Sequence, residues 1–369
     1  MQAKFIFGLL LYTISNAYSL ELVVNIPPNT PEGQKIYLTG DIPGKCYWEA
    51  DCLQLEKLGP GNYKIDLAQK DLSLSFPYKI TRGSWQNQAA TSRGEILPNR
   101  TFTANEKNTI SVANWSDLPA WKKVGAFRTH RDFYSPQLKN QRDITVWLPP
   151  SYRIGKGHYP VLYMHDGQNL FDPNTNMFGN EWGVDETSTQ LIESQLLRGF
   201  IVVGIPSGSD RNGEYTYRKK GKHYARFLID TLKPFIDQNY RTRTERQHTM
   251  VMGSSMGALI SFTLVWKHGD TFSKGAGLSL PVFAHEYELY KFLKENPIPS
   301  KDIRFYFDHG GKGQDSNYSA PAQKFVEDLT TVYQFPAEQF SYRVFPYADH
   351  TELDWARRLK IPLTYLLKE

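Results

Sequence analysis

A serine in this chain stands in a setting suited to nucleophilic chemistry. Gly253-Ser254-Ser255-Met256-Gly257 follows the apolar run HTMVM and precedes ALISFTLVWKH, which has helical periodicity. A strand that turns sharply into a helix crowds the backbone, so glycines are needed around a serine whose hydroxyl projects above the sheet. Ser255 is therefore predicted to be an exposed nucleophile, and the alternative is an ordinary tight turn.

His350 is the predicted base for this serine. A serine hydroxyl is a poor nucleophile until a base takes its proton, and histidine titrates in the right range to do so. Of the nine histidines, we select His350 because it follows the last predicted strand, FSYRVFPYADH, and precedes a predicted helix, TELDWARRLKIPLTYLLK. That position matches the chain order serine, acid, histidine. His309 is the second choice.

The third catalytic group should be a carboxylate, because it must accept the other imidazole N–H and hold the tautomer. Asp308 and Asp315 both follow the predicted strand IRFYFDHG. Asp308 stands at the strand end and could serve as a turn residue, whereas Asp315 lies further along a glycine-rich loop that can bend toward the histidine. Chain order and loop reach favour Asp315, and a serine–histidine dyad is the alternative if neither reaches His350.

Two backbone N–H groups are predicted to stabilise an oxyanion. The usual donors are the N–H after the nucleophile and one from the loop after an earlier strand. Met256 supplies the first. In VLYMHDGQNLF, Gly167 allows close backbone approach and the N–H of Gln168 is the second. The side chains of that loop could instead only stabilise it by local hydrogen bonds.

The second part of the chain alternates strands with helices. Apolar runs predict strands at DITVWLP, YPVLYMHDG, GFIVVGIPSG, HTMVMG, GAGLSL and IRFYFDHG. Between them, residues 224–240 place Phe227, Leu228, Leu232, Phe235 and Ile236 on one helical face. Such alternation predicts an α/β domain with a mostly parallel sheet flanked by helices, with its site at the carboxyl edge of the strands.

The first part of the chain predicts a smaller all-β domain. Short β-rich runs, LELVVNI, KIYLTG, GNYKIDL, FPYKITR and NTISVA, are separated by Gly, Pro and Asn turn signals. We therefore predict an immunoglobulin-like β-sandwich over residues 20–115, a linker over 116–126 and the α/β domain over 127–369.

The α/β part resembles the esterase family that includes esterase D, enterochelin esterase, feruloyl esterases and the mycolyltransferases. The resemblance covers about 143–368 and rests on YMHDGQNLF, GNEWGVDE, EYTYR, GKHYARFLIDTLKPFIDQNYRT, MGSSMGA and ADHTELDW. It implies an α/β-hydrolase fold with Ser255 as nucleophile, His350 as base, an acid at or near Asp315 and oxyanion donors at Gln168 and Met256. One departure is GLSLPVF, where many relatives carry Ser-Pro-Ser.

Further substrate contacts are predicted at Asp166 and Trp182, which lie within the motifs of that resemblance, and at Arg218. Arg218 opens the basic run RKKGKH after a predicted strand, near the rim of the expected pocket. Such a run could attract an anionic substrate. The alternative is an ordinary solvated loop.

The sandwich is similar to starch-binding and glycogen-binding modules through KIYLTGDIPG, GNYKIDL, YKITRGSWQNQ and GEILPNRTF. Such modules stack sugar rings on exposed tryptophans. The resemblance implies Trp85 and Asn99 as sugar contacts, with Trp48 as a weaker candidate, and thus polysaccharide binding by this domain. The alternative is a scaffold that forms one wall of the catalytic pocket.

Composition limits the classes of function and partner. The formal charge of +5 is spread over 369 residues, so no nucleic-acid footprint is visible. Residues 1–19, MQAKFIFGLLLYTISNAYS, have the pattern of a signal peptide, which predicts export to the periplasm or medium. No later run approaches the length of a membrane span. Cys46 and Cys52 are predicted to form a disulfide. No cluster has metal-ligand spacing, so neither metal nor cofactor is expected.

These features favour an exported serine carboxylic-ester hydrolase that forms an acyl-enzyme. Its substrate would be an ester of a carbohydrate, phenolic or siderophore-like compound. Two alternatives are an acyltransferase that acts on a sugar and a non-catalytic carbohydrate-binding protein in which only the sandwich is active.

Overall fold

The structure is a computed structural model that describes residues 21–67, 75–91, 94–104, 108–119, 122–173, 175, 180–299 and 302–368. The predicted signal peptide, residues 1–19, lies outside the described residues. Within them, no helix is both long enough and apolar enough to cross a membrane.

The N-terminal part is an all-β sandwich, as predicted. Its strands alternate buried and exposed side chains: Phe76, Tyr78 and Ile80 are buried along one strand, whereas the residues between them are not. This period of two is what a sheet with one buried face requires. The strands are β1 (Glu21–Asn25), β2 (Tyr37–Ile42), β3 (Cys46–Tyr47), β4 (Leu53–Gln54), β5 (Glu56–Gly59), β6 (Asn62–Asp66), β7 (Ser75–Thr81), β8 (Ala89–Ala90), β9 (Arg100–Thr103), β10 (Asn108–Ser111) and β11 (Asn114–Trp115).

Two sheets and a short strand pair make up this part. One sheet has the order β10-β1-β6-β5, the other has β3-β2-β7-β9 with β4 also paired to β2, and β8 pairs with β11. Their shared core includes the fully buried side chains of Leu22, Leu38, Phe102 and Trp115. The predicted disulfide between Cys46 and Cys52 is present, and it joins the start of β3 to the turn just before β4.

The second part is built on one eight-stranded sheet in the order β12-β13-β15-β14-β16-β17-β18-β19. Strands β12 and β13 pair antiparallel to their neighbours, and the other six run parallel. The strands are β12 (Ala126–Ser135), β13 (Asn140–Leu148), β14 (Val161–His165), β15 (Ile201–Ile205), β16 (Thr249–Ser254), β17 (Lys274–Leu278), β18 (Arg304–Gly310) and β19 (Phe340–Phe345).

Helices cover this sheet, so its central strands are buried on both sides. Every residue of β14, β15 and β16 is buried, which explains why these strands read as continuous apolar runs. The helices are α1 (Val184–Glu193), α2 (Arg211–Tyr215), α3 (Lys219–Arg226), α4 (Lys233–Asn239), α5 (Met256–Lys267), α6 (Ala284–Glu295), α7 (Ser319–Thr331), α8 (Glu352–Arg358) and α9 (Lys360–Leu367).

The helix predicted over 224–240 is found, with an irregular centre. Helices α3 and α4 are joined by a π-helical stretch, Phe227–Leu232. Four of the five predicted apolar positions, Phe227, Leu228, Leu232 and Ile236, are fully buried, and Phe235 is partly buried. A π-helix has more residues per turn than an α-helix. The stretch therefore rotates the buried face of α4 relative to that of α3, and both helices pack on the same core.

The parallel strands place the predicted site residues at one edge of the eight-stranded sheet. Strands β14, β16 and β18 end at His165, Ser254 and Gly310, and their carboxyl ends lie at the same edge of the sheet. Residues just after these strands can therefore converge although they are far apart in the chain.

Candidate active site

Ser255 occupies the sharp turn between β16 and α5. Its backbone has φ 53° and ψ −125°, which a residue with a side chain adopts only where its surroundings hold it. A Cβ on Gly253 would lie 2.7 Å from the backbone of Gly257, and a Cβ on Gly257 would lie 3.3 Å from Asp166 Oδ2. The glycines around the serine are thus explained by close approach. The N–H of Ser255 donates to the Leu278 carbonyl oxygen at 2.9 Å.

His350 lies in the loop between β19 and α8, and its partner is Asp315. The distance from His350 Nδ1 to Asp315 Oδ1 is 2.7 Å. Asp315 Oδ2 accepts the Ser279 hydroxyl at 2.5 Å and the N–H of Gly310 at 2.8 Å. Burial acts to raise the pKa of Asp315, but the bond to His350 and these further donors outweigh it and hold the pKa below its ordinary value. Asp315 is therefore a charged acceptor that orients the imidazole.

Asp308 and His309, the alternatives for acid and base, are engaged elsewhere. Asp308 Oδ1 lies 3.1 Å from Arg358 Nη2, and Asp308 Oδ2 accepts the Tyr306 hydroxyl at 2.8 Å. His309 is fully buried, with Nε2 2.8 Å from the Tyr342 hydroxyl. Neither side chain contacts His350 among the hydrogen bonds of the described residues. The structure therefore places Asp315, not Asp308, at the histidine.

Ser255 and His350 line the same cavity, which has a volume of about 740 Å³. Both parts of the chain contribute to its wall, since Ser111 of β10 lies at its edge. The remaining lining residues are mostly polar: Asp166, Gln168, Asn169, Thr175, Asn180, Arg211, Ser254, Gln314, Thr351, Glu352, Leu353 and Trp355.

The two predicted oxyanion donors lie in the first turns of helical segments. Met256 is the first residue of α5, and Gln168 lies in the single 3₁₀ turn Gly167–Asn169. N–H groups in a first turn have no partner within their own helix, so they are available to an anion. A Cβ on Gly167 would lie 2.6 Å from the backbone carbon of Gly204, so glycine lets this turn pack directly against β15.

An ion pair supports the Gln168 turn from the cavity side. Arg211 Nε and Nη2 donate to the two carboxylate oxygens of Asp166 at 2.8 Å and 2.7 Å. The N–H of Asp166 donates to the Tyr215 hydroxyl at 3.0 Å. The predicted substrate residue Asp166 thus lines the cavity, but Arg211 already occupies both of its oxygens.

The comparisons with known proteins identify the family of this chain. Residues 135–364 match the family model described as "Putative esterase". That match covers more than half of the chain and includes every residue of the Ser255, His350 and Asp315 set. The chain belongs to this esterase family.

The relatives of this esterase-family chain share only part of its sequence. "Uncharacterized protein YbbA" of Bacillus subtilis is 26% identical over 158 residues, which are 39% of this chain and 59% of the relative. "Endo-1,4-beta-xylanase/feruloyl esterase" of Xylanibacter ruminicola is 25% identical over 194 residues, 45% of this chain and 24% of that protein. The chain thus spans less than two thirds of these curated relatives.

A solved structure shares the fold over nearly the whole chain. Enterobactin esterase FES from Shigella flexneri, in the presence of enterobactin, is 14% identical with a TM-score of 0.56. The match covers 94% of this chain and 92% of that one. At this identity the likeness shows the fold alone, and it bears out the predicted α/β-hydrolase fold preceded by a β-sandwich.

In this family member, two of the predicted substrate residues lie away from the cavity wall. Arg218 Nη2 donates to Glu288 Oε2 at 2.6 Å on the surface. Trp182 is 1% exposed and packs with its ring centroid 5.6 Å from that of Trp355. Arg218 is therefore already paired with an acid, and Trp182 is a core side chain that supports the cavity wall from behind.

The predicted sugar contacts lie on the sandwich. Trp85 is 37% exposed, and its ring centroid lies 6.4 Å from that of Trp48, with 37° between the ring planes. Asn99 is exposed near the start of β9. The structure therefore brings Trp48 and Trp85 together beside the disulfide loop, but none of the three residues lines the catalytic cavity.

Several residues of the site have no clear signal in the sequence. Tyr318 is buried, and its ring centroid lies 5.6 Å from that of His350. Burial raises the pKa of Tyr318 to about 12, so it stays neutral. Glu352 faces the cavity and accepts from Asn169 Nδ2 at 3.2 Å, and burial raises its pKa. Only the neighbouring motif ADHTELDW points to Glu352, and nothing local identifies Tyr318.

Two groups of described residues have the donor atoms that metal ions prefer within 4.8 Å of one another. In the first, Cys46 and Cys52 are already joined to each other. The second lies at the start of α1 and consists of Glu181, Asp185 and Glu186. Burial, and then the neighbouring charge of Glu186, raises the pKa of Asp185 to about 8. Burial and the charge of Glu186 thus favour the protonated form of this carboxyl, and neither group adjoins Ser255 in the cavity wall.

Proposed function

We propose that this chain is a serine carboxylic-ester hydrolase. The observation that carries the proposal is the bond between His350 and Asp315 at the wall of the cavity that also contains the Ser255 turn. Ser255 would be the nucleophile, His350 the base and Asp315 the group that orients the base. We also propose that the sandwich domain spans residues 20–115 and that the α/β domain spans residues 127–369.

The first half of the reaction acylates Ser255. Because Nδ1 of His350 is bound to Asp315, Nε2 is the nitrogen that takes the proton of the Ser255 hydroxyl. Oγ then bonds to the acyl carbon, and the carbonyl electron pair moves onto oxygen as an oxyanion. The N–H groups of Gln168 and Met256 would donate to that oxyanion. The ester C–O bond breaks, and the leaving alkoxide takes the proton from His350.

The second half releases the acid. Water bonds to the acyl carbon while His350 takes one of its protons. Collapse of the second oxyanion breaks the bond to Oγ, and the proton on His350 returns to Ser255. No redox group and no metal enters this sequence, because proton transfer and oxyanion stabilisation supply the chemistry.

The residues of the cavity wall favour a substrate that carries hydroxyl groups and no negative charge. Asn169, Asn180 and Thr175 offer hydrogen-bonding groups, and Glu352 offers a carboxylate. Arg211 lies on the wall, but its charge is balanced by Asp166. Carbohydrate, phenolic or siderophore-like esters fit this description, and the names of two similar proteins, a feruloyl and an enterobactin esterase, agree with it.

Turnover of simple and natural esters tests the proposal. Wild-type protein should hydrolyse p-nitrophenyl acetate, and a panel of acetylated sugar, feruloyl and enterobactin esters should show which acyl group is preferred. Ser255→Ala should reduce kcat by about 10³-fold or more. Equal turnover by wild type and Ser255→Ala would exclude the mechanism, and acyl products on an added polyol would reveal transfer instead of hydrolysis.

We also infer that the sandwich binds carbohydrate through Trp48 and Trp85. Two tryptophan rings at 6.4 Å on a partly exposed face suit the C–H-rich faces of adjacent sugar units. Trp85→Ala should weaken retardation of the protein in gels that contain soluble starch, while ester turnover remains unchanged. Tyr134→Ala removes another exposed aromatic side chain and is the matched control. Equal retardation of wild type and Trp85→Ala would contradict sugar binding at this pair.

Export is also part of the proposed function. The signal-like segment 1–19 and the Cys46–Cys52 disulfide support it, because disulfides persist in oxidising compartments. The mature chain would then act in the periplasm or in the medium.

A further inference from the structure

Arg357 of α8 joins the sandwich to the second part of the chain. Its Nε donates to the carbonyl oxygen of Ile26 at 3.1 Å, and its Nη2 contacts the same oxygen. Its Nη1 donates to Asp354 Oδ1 at 2.7 Å. The side chain is only 8% exposed. A buried guanidinium thus connects a backbone group just after β1 with a carboxylate one turn away on α8.

Asp354 in turn fixes the residues on both sides of His350. Its Oδ2 accepts the N–H of Asp349 at 2.9 Å and lies 3.2 Å from the Thr351 hydroxyl. The N–H of Asp354 donates to Thr351 Oγ1 at 3.2 Å, which caps α8. His350 lies between these two anchored residues, so the position of Asp354 sets the path of the catalytic loop.

The turn between β5 and β6 of the sandwich also packs against Arg357 and against the loop that contains His350. A Cβ on Gly61 would lie 2.4 Å from Arg357 Nε, and a Cβ on Gly59 would lie 2.8 Å from the Tyr347 ring. Tyr347 belongs to the same loop as His350. The glycines therefore allow the turn to pack directly on Arg357 and on the loop, with no space for a larger side chain.

We propose that Arg357 is a positioning residue through which the sandwich holds the His350 loop at the correct distance from Ser255. The proposal rests on the function proposed above. The chain of contacts runs from Ile26 and Gly61 to Arg357, then to Asp354, and then to the backbone beside His350. Catalysis of acyl transfer is sensitive to displacements of about 1 Å, so a loop held from outside its own domain makes the sandwich a part of the catalytic unit.

Two glycines in similar backbone conformations provide a matched test. Gly61 has φ +70° and meets Arg357, whereas Gly44 has φ +68° and has nothing within 4 Å of a built Cβ. Alanine at either position is strained by a similar positive φ, but only Gly61→Ala displaces Arg357. We expect Gly61→Ala to lower kcat for p-nitrophenyl acetate about tenfold and to move the acid limb of the pH profile. Gly44→Ala should keep the wild-type kcat and profile.

Substitution of Arg357 itself gives a second test that does not depend on the glycine. Arg357→Met removes all three contacts, and Arg357→Lys keeps the charge on a somewhat shorter side chain. We expect Arg357→Met to lower kcat by a larger factor than it changes KM. Arg357→Lys should restore part of the lost kcat. Both variants are assayed below their unfolding temperatures. A structural role alone would change stability but leave the pH profile of the folded fraction unmoved.

The outcomes separate this proposal from the proposed function. If Ser255→Ala abolishes turnover while Gly61→Ala and Gly44→Ala share the wild-type kcat and pH profile, the coupling through Arg357 is refuted and the serine mechanism stands. If Ser255→Ala retains wild-type turnover, both proposals are overturned.

Discussion

At the scale of single residues, the account depends on which carboxylate serves His350. Asp308 and Asp315 follow the same strand, so the sequence could narrow the choice only by loop reach. The structure separates them by partners: Arg358 lies 3.1 Å from Asp308, and His350 lies 2.7 Å from Asp315. Arg358 is 50 residues further along the chain, so its contact with Asp308 could not be inferred from local sequence.

Asparagine substitutions at these two positions should have different effects. Asp315→Asn should lower kcat by about 10⁴-fold, because an amide can no longer hold the imidazole in the correct tautomer. Asp308→Asn should instead lower the free energy of unfolding by about 3 kcal/mol, because the buried Arg358 loses its nearer carboxylate and keeps only Asp315, whose Oδ2 lies 3.9 Å from Arg358 Nη2. Steady-state kinetics and urea unfolding of both variants measure the contrast. A larger kcat loss in Asp308→Asn than in Asp315→Asn would reverse the assignment.

Also at the residue scale, Ser279 shows what the stretch GLSLPVF, which differs from the Ser-Pro-Ser of many relatives, contributes to the site. Its hydroxyl donates to Asp315 Oδ2 at 2.5 Å and accepts from Trp355 Nε1 at 2.9 Å and from Arg358 Nη2 at 3.0 Å. The serine that remains in this stretch thus stabilises the charged form of the acid. The local sequence could not reveal these contacts, because two of the partners of Ser279 come from α8, 76 and 79 residues away.

At the scale of elements, the apolar strands were predictable and the edge strand was not. Strands β14, β15 and β16 are buried on both faces, so composition alone reveals them. Strand β12 is largely exposed, and its register shifts between His130 and Phe133. Because it has neither an apolar run nor a regular alternation, the sequence predicts no strand there, and its first residue, Ala126, falls in the predicted linker. Tertiary pairing with β13, not local propensity, creates this strand.

The start of α1 gives a prediction for stability against pH. The pKa of Asp185 rises from its ordinary value of 3.8 to about 8 in the folded protein, first because of burial and then because of Glu186. A raised folded pKa means that this group contributes its full stability below about pH 4 and loses it as pH rises toward 8. The unfolding temperature of wild type relative to Asp185→Asn should therefore fall between pH 4.5 and 8.5.

A control separates this effect from the general pH dependence of the protein. Glu338→Gln removes an exposed carboxyl of the same domain, and its difference from wild type should stay constant over the same range. Thermal unfolding followed by circular dichroism at several pH values provides both curves. A difference between wild type and Asp185→Asn that stays constant or grows in favour of wild type with pH would contradict the buried, protonated carboxyl.

At the scale of the whole molecule, the sequence indicated two parts but not how they meet. Alternation of period two predicted the sandwich, and strand–helix alternation predicted the α/β sheet. Their contact depends on Ile26 and Arg357, which are 331 residues apart, and on Ser111 at the cavity edge. Neither contact leaves a periodic pattern in the sequence. The scaffold and sugar-binding hypotheses for the sandwich are therefore compatible, since Ser111 lines the cavity and the Trp48–Trp85 pair does not.

The central claim is that Ser255 carries the acyl group during turnover. The most direct measurement is mass spectrometry of peptides from protein quenched during reaction with a slowly released p-nitrophenyl ester. We predict one acyl group on the peptide that contains Ser255, formed with about one equivalent of p-nitrophenol and absent from Ser255→Ala. An acyl group on another residue, or none at all while Ser255→Ala still hydrolyses the ester, would contradict the account.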